Sequence, residues 1–130
     1  MIFDNESIMS DKQAVTATAV STNVIDLGAQ KDIGRGKPIP IRVQVTTDFA
    51  TLTSLQIDLQ TDADEAFSDP VVLQGESVAA AALVAGKVLN FNYIPKNGER
   101  YLRMNYTVTG SDATAGNITA GIVMEHQDNP

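Results

Sequence analysis

The sequence predicts an all-β domain, an antiparallel sandwich of about eight strands. Three observations carry this: apolar and polar residues alternate at period two in several separate stretches, Gly, Pro, Asp and Asn divide those stretches at short intervals, and no stretch reads as a long amphipathic helix.

Each element follows from that pattern. In Ile39 to Thr47, Ile41, Val43 and Val45 alternate with Arg42, Gln44 and Thr46, so one face is core and the other polar. Leu55, Ile57 and Leu59 repeat this against Gln56, Asp58 and Gln60, and Leu89, Phe91 and Tyr93 against Asn90 and Asn92. Tyr101 to Thr109 sets Leu102, Met104, Tyr106 and Val108 against Arg103, Asn105 and Thr107. Asn117 to His126 turns Ile118, Ala120, Ile122 and Met124 inward, with Gly121 expected at a bulge or a close backbone approach. Shorter strands are expected at Val24 to Leu27, Val71 to Gln74 and Val78 to Leu83. Alanine is the best helix former, so residues 78–86, VAAAALVAG, also suit a helical turn; strand is the reading adopted. Asp62 to Phe67 is expected as a short helix or turn, capped by Thr61 or Asp62 and ended by Pro70. Eight strands with one apolar face suit a jelly roll, and an immunoglobulin-like sandwich or a closed barrel fits the same pattern.

At 130 residues the chain is about one domain long, and its 43% hydrophobic content can fill a core that is mostly aliphatic, because Trp is absent. Cysteine is absent too, which excludes a disulfide framework and cysteine-based zinc sites. The opening MIFDNESIMSDKQ has no basic segment followed by an apolar run, so neither a signal peptide nor a bilayer span is expected, and synthesis is expected in the cytoplasm. Glycosylation triplets at Asn5, Asn105 and Asn117 carry little weight without a secretory route. The net charge of −7 repels phosphate at long range, so no nucleic-acid or membrane partner is expected. Lys31, Arg35 and Lys37 form a short basic loop cluster, of which Arg35 and Lys37 are candidate loop contacts.

Residues 1–21 differ from the rest, being polar and rich in Ser, Thr and Asp, with apolar anchors at Ile2 and Phe3 and at Ile8 and Met9. They are expected to form an extended N-terminal arm ahead of a sandwich domain at 22–130. On that reading residues 1–13 are dispensable for folding, and the four anchors contact a partner.

No catalytic constellation is expected. His126 is the only histidine, and no nucleophile-elbow pattern supplies an activated serine beside it. The segment TDADEAFSDP, with Asp62, Asp64, Glu65 and Asp69, fails the EF-hand pattern: counted from Asp62, the required Gly and Glu are Phe67 and Leu73. A glycosidase pair among the same carboxylates would need an aromatic-floored cleft, for which few aromatics are available. GRGKP, residues 34–38, has Pro38 where a phosphate-binding loop needs Ser or Thr. No enzyme activity, cofactor or metal is therefore expected.

The opening MIFDNESIMSDKQAVTATAVSTNVIDLGAQKDIGRGKPIPIRVQVTTDF, the central LQIDLQTDADEAFSDPVVL and the late RYLRMNYTVTG with NITAGIV resemble capsid cement, or decoration, proteins of short-tailed bacteriophages, the Bordetella-phage type. The resemblance runs in order along almost the whole chain. It implies a jelly-roll subunit on the outer surface of the virion capsid, bridging neighbouring major capsid proteins against DNA pressure and forming a homodimer or homotrimer. It implies no catalytic residues. A carbohydrate-binding or host-attachment sandwich is the alternative, disfavoured by polar strand faces that carry Arg, Gln, Asn and Thr but no Trp.

Overall fold

The computed structural model describes residues 3–26, 40–89, 91 and 100–123, with residues 3–7 described as backbone only. The chain is all-β. Its strands are β1 (Phe3–Ala14), β2 (Ala19–Val20), β3 (Ile25–Asp26), β4 (Ile41–Ala50), β5 (Ser54–Asp62), β6 (Val71–Ala79), β7 (Tyr101–Thr109) and β8 (Ala115–Val123), with a 3-10 turn at Ala80–Ala82.

They form two antiparallel sheets. One has the order β1-β8-β4; the other runs β2-β7-β5-β6, with β3 also paired to β7. A short stretch beside β4 extends the first sheet. Val45 donates to the Lys87 carbonyl at 2.9 Å, Gly86 donates to the Val45 carbonyl at 2.8 Å, Leu89 donates to the Val43 carbonyl at 3.0 Å, and Gln44 bridges Val88 antiparallel. Each sheet therefore has four rows, with β2 and β3 sharing one of them.

The period-two alternation places the core between the sheets. Ile41, Val43 and Val45 of β4 and Ile118 and Ala120 of β8 meet Leu55, Ile57 and Leu59 of β5 and Leu102, Met104 and Tyr106 of β7 in one buried cluster. Leu89 and Phe91 join it, as their alternation predicts. Burying such side chains stabilises the fold by about 1.5–3 kcal/mol each before conformational entropy is charged against it.

The observed elements depart from expectation in three places. First, residues 3–14 do not stand apart from the sandwich: they form β1, paired along β8 from Phe3 opposite Val123 to Ala14 opposite Asn117. Met9 is fully buried in the subunit's own core, and Ile8 is buried opposite Gly121. The polar composition of β1 misleads because an edge strand with three register irregularities needs few apolar residues to dock. Residues 19–20 add β2, so a boundary between arm and sandwich at residue 21 does not match the pairing.

Second, Val71–Ala79 is one strand where two were expected. Gly75 does not break it, because it lies opposite Asp58, and a Cβ at this position would collide with the Asp58 carboxylate. Close approach, not a turn, requires glycine there.

Third, the alanines that follow make a 3-10 turn, so VAAAALVAG begins as strand and ends as a turn that buries Leu83.

The expected strand Leu89 to Tyr93 lies largely outside the described residues, although Leu89 and Phe91 are described and buried. Val88 contributes a single bridge, and Asn90, Asn92 and Tyr93 lie outside the described residues. The expected Leu27, Ile39, Met124 and His126 also fall outside them, so β3, β4 and β8 are described at Ile25–Asp26, Ile41–Ala50 and Ala115–Val123.

Candidate interaction surfaces

The expected contact residues separate into two groups. Ile2, Arg35 and Lys37 lie outside the described residues, together with the whole GRGKP segment. Phe3 opens β1, while Ile8 and Met9 are buried within the subunit. Of the four anchors, the two whose side chains are described, Ile8 and Met9, face the subunit's own interior.

The acidic segment after β5 is a hydrogen-bonded turn. Asp64 donates its backbone N–H to Asp62 Oδ1 at 3.0 Å, and Asp69 donates its own to Asp62 Oδ2 at 2.9 Å. Those two backbone donors, Asp64 first, hold the Asp62 carboxyl below its ordinary value of 3.8. Asp64 accepts from the Ala66 N–H at 3.1 Å and from the Ser68 hydroxyl at 3.0 Å. Among the described residues no cluster of carboxylates and histidine is placed to hold a metal ion. The turn forces Phe67 into the left-handed region at φ 50°, with its ring buried beneath the Arg103 guanidinium, 4.1 Å from the ring centre. Burial pulls the Arg103 guanidinium below its ordinary value, and Asp62 opposes that shift.

The outer face of the β2-β7-β5-β6 sheet is a polar ladder. Gln56 donates to Asp58 at 2.7 Å, Arg103 donates to Gln60 at 2.9 Å, and Asn105 donates to Thr107 at 3.3 Å. At its margin Asp26 of β3 accepts a bidentate pair from Arg100, at 2.9 and 3.1 Å, and this pairing raises the Arg100 value. The pair is exposed, so its contribution is small. Phe49, Phe67, Phe91 and Tyr106 are buried, which leaves Tyr101 as the one described aromatic side chain that is partly accessible.

The sheet edges differ sharply. β1 is interrupted by register shifts and by Lys12 at φ 47°, and β2 and β3 are two residues each. Strand β6 is nine residues long, ends its sheet among the described residues, and exposes Val71 and Val72 to about half of their full extent, 54% and 51%. Sequence reasoning missed this edge. The only signal for it was the run of small residues Gly75, Ser77 and Ala79 on alternate positions.

What the fold defines is a small antiparallel β-sandwich whose distinctive features are edges and polar faces. A family model, Bbp16, matches residues 9–122, most of the chain, and the protein belongs to the Bbp16 family. No curated protein matches it.

Proposed function

We propose that this protein is a structural cement of a bacteriophage head, seated on the outer capsid surface and bridging neighbouring major capsid proteins. Membership of the Bbp16 family over residues 9–122 carries the reading, because it covers the sandwich itself and agrees with the resemblance to Bordetella-phage cement proteins. The fold supports it. With residues 86–89 counted, the rows β1-β8-β4-(86–89) pack against β2/β3-β7-β5-β6, an arrangement consistent with a jelly roll.

The mechanism is avidity. One subunit joined to several neighbours over a closed shell gains a high effective concentration at each contact, so weak individual contacts resist internal pressure together. A homodimer or homotrimer would multiply the contacts further. The carbohydrate-binding alternative draws little support from a face whose neighbouring aromatics are mostly buried.

The test mixes the purified full chain with undecorated heads and measures co-sedimentation and the pressure or temperature at which heads rupture. Saturable binding with a raised rupture threshold is expected. Absence of binding, or binding to glycans instead, overturns the reading.

A further inference from the structure

We propose that β6 is a docking edge for an extended, basic segment of another protein, which adds to the sheet as a further antiparallel or parallel row. The inference holds whether or not that protein belongs to a capsid.

The direction of the free backbone groups follows from the register. Ala80 donates its N–H to the Thr53 carbonyl at 3.2 Å, and Thr53 and Ala80 stand directly opposite in the register that pairs Ser54 with Ala79. In an antiparallel pair such hydrogen-bonded partners recur at every second residue. Leu55 with Val78 and Ile57 with Glu76 are therefore the hydrogen-bonded partners, and Gly75, Ser77 and Ala79 turn their backbone groups away from β5. The far side of the sheet gives the same phase. Ser21 donates to the Met104 carbonyl at 2.8 Å, and Val108 donates to Thr18, which leaves Thr107 and Asn105 to face β5.

Gly75, Ser77 and Ala79 are exposed and small, so little shields their N–H and C=O groups from an incoming strand. Natural edges are usually blunted by Lys, Pro, irregular pairing or shortness. Strands β1, β2 and β3 use such devices, whereas β6 has neither Lys nor Pro; its one register irregularity makes Leu73 the extra residue between Gln74, opposite Leu59, and Val72, opposite Gln60, and Gly75 to Ala79 keep regular pairing.

Charge selects the occupant. The β5–β6 hairpin, residues 54–79, contains Asp58, Asp62, Asp64, Glu65, Asp69 and Glu76 and no Lys or Arg. Nearly all of the chain's net charge of −7 thus resides on the hairpin whose outer strand is the last of its sheet among the described residues. A second copy docking edge to edge through β6 would bring two such hairpins together, which like-charge repulsion opposes. A strand bearing Lys or Arg at alternate positions gains both the backbone ladder and the charge attraction.

The experiment follows backbone amides of the full chain by NMR hydrogen exchange while a short alternating lysine–valine peptide is titrated in. A glutamate–valine peptide serves as the control. Slowed exchange at Gly75, Ser77 and Ala79 with the basic peptide alone is expected, with affinity falling by roughly tenfold between low and high salt. Ser77→Pro removes an outward N–H and should abolish the effect. Ser77→Lys keeps the N–H, guards against misfolding of the proline variant, and should weaken binding of the basic peptide. Unchanged exchange at those three amides with the basic peptide overturns the proposal. So does equal protection by the acidic peptide, or protection that grows with protein concentration in the absence of any peptide.

Discussion

The Ser10 hydroxyl on β1 lies 2.8 Å from the Tyr106 hydroxyl on β7, a buried polar link between the two sheets. The direction of each proton can be worked out. Thr22 donates its backbone N–H to Gln13 Oε1 at 2.9 Å, which fixes the Gln13 amide, and Gln13 Nε2 donates to the Val20 carbonyl at 2.9 Å. Ser10, 2.7 Å from the same Oε1, must then donate to it, so Tyr106 donates to Ser10. Burial pushes the Tyr106 phenol well above its ordinary value, and this favours the protonated form that the chain of bonds requires.

Removing either end of this link should have unequal effects. Tyr106→Phe removes a donor and leaves Ser10 bonded to Gln13, for a loss of about 1 kcal/mol. Ser10→Ala strands a buried phenol without its acceptor and should destabilise by about 1–3 kcal/mol. Urea unfolding of the two single variants and the double variant measures this. An equal or reversed order would refute the proton assignment.

Asp62 gives a pH dependence of known sign. Its folded value lies below the ordinary 3.8, so it binds fewer protons folded than unfolded at acid pH. The stability it contributes is present above that ordinary value and lost as pH falls through the lowered one. Asp62→Asn, which keeps one acceptor oxygen and never ionises, should flatten the acid limb of a stability–pH curve below about pH 4. A parallel acid limb in parent and variant would place the dependence elsewhere.

The same geometry bears on calcium. Both Asp62 oxygens already accept backbone N–H groups, and Asp64 accepts from Ala66 and Ser68, so a cation would have to displace donors that shape the turn. Millimolar calcium should leave the melting temperature of the full chain unchanged within error. A rise of many degrees that Asp62→Asn removes would show a metal site.

How much was legible depends on where the period-two signal was carried by apolar residues. Strands β4, β5 and β7 were readable because Ile41, Val43, Val45, Leu55, Ile57, Leu59, Leu102, Met104 and Tyr106 alternate cleanly and all reach the core. β1 was not, since its inward row includes Ser10, satisfied by a tyrosine ninety-six residues away that local pattern cannot reveal. The continuity of Val71–Ala79 through Gly75, where two short strands were expected, was hidden for a related reason. The Asp58 carboxylate that excludes a side chain there belongs to the neighbouring strand. The acidic turn was legible as a capped turn because its Asp side chains bond their own backbone within a few residues.

Composition alone suggests that residues 1–13 can be removed with little effect on folding, and the pairing of β1 reverses that expectation. In the structure their removal deletes most of β1. It takes Met9 out of the core, leaves Tyr106 without Ser10, and breaks the bond from the Asn23 N–H to the Met9 carbonyl at 3.0 Å. It also uncovers the edge of β8, whose Ile118 and Ala120 lie in the core cluster. Met9→Ala alone should destabilise by about 2–5 kcal/mol as a large-to-small core change. Domains of this size have a total stability of about 5–15 kcal/mol, so loss of the whole segment should abolish cooperative unfolding or lower the midpoint severely. Urea titration followed by tryptophan-independent probes, such as far-UV circular dichroism, measures both variants. A truncated chain that unfolds cooperatively at nearly the parent's urea midpoint would mean that β1 is an appendage and that Met9 adds little to the core. If the truncated chain is instead unfolded, its failure to bind heads says nothing about contacts. Partner binding by this segment must then be tested with single changes at Ile2 and Phe3 in a chain shown to remain folded.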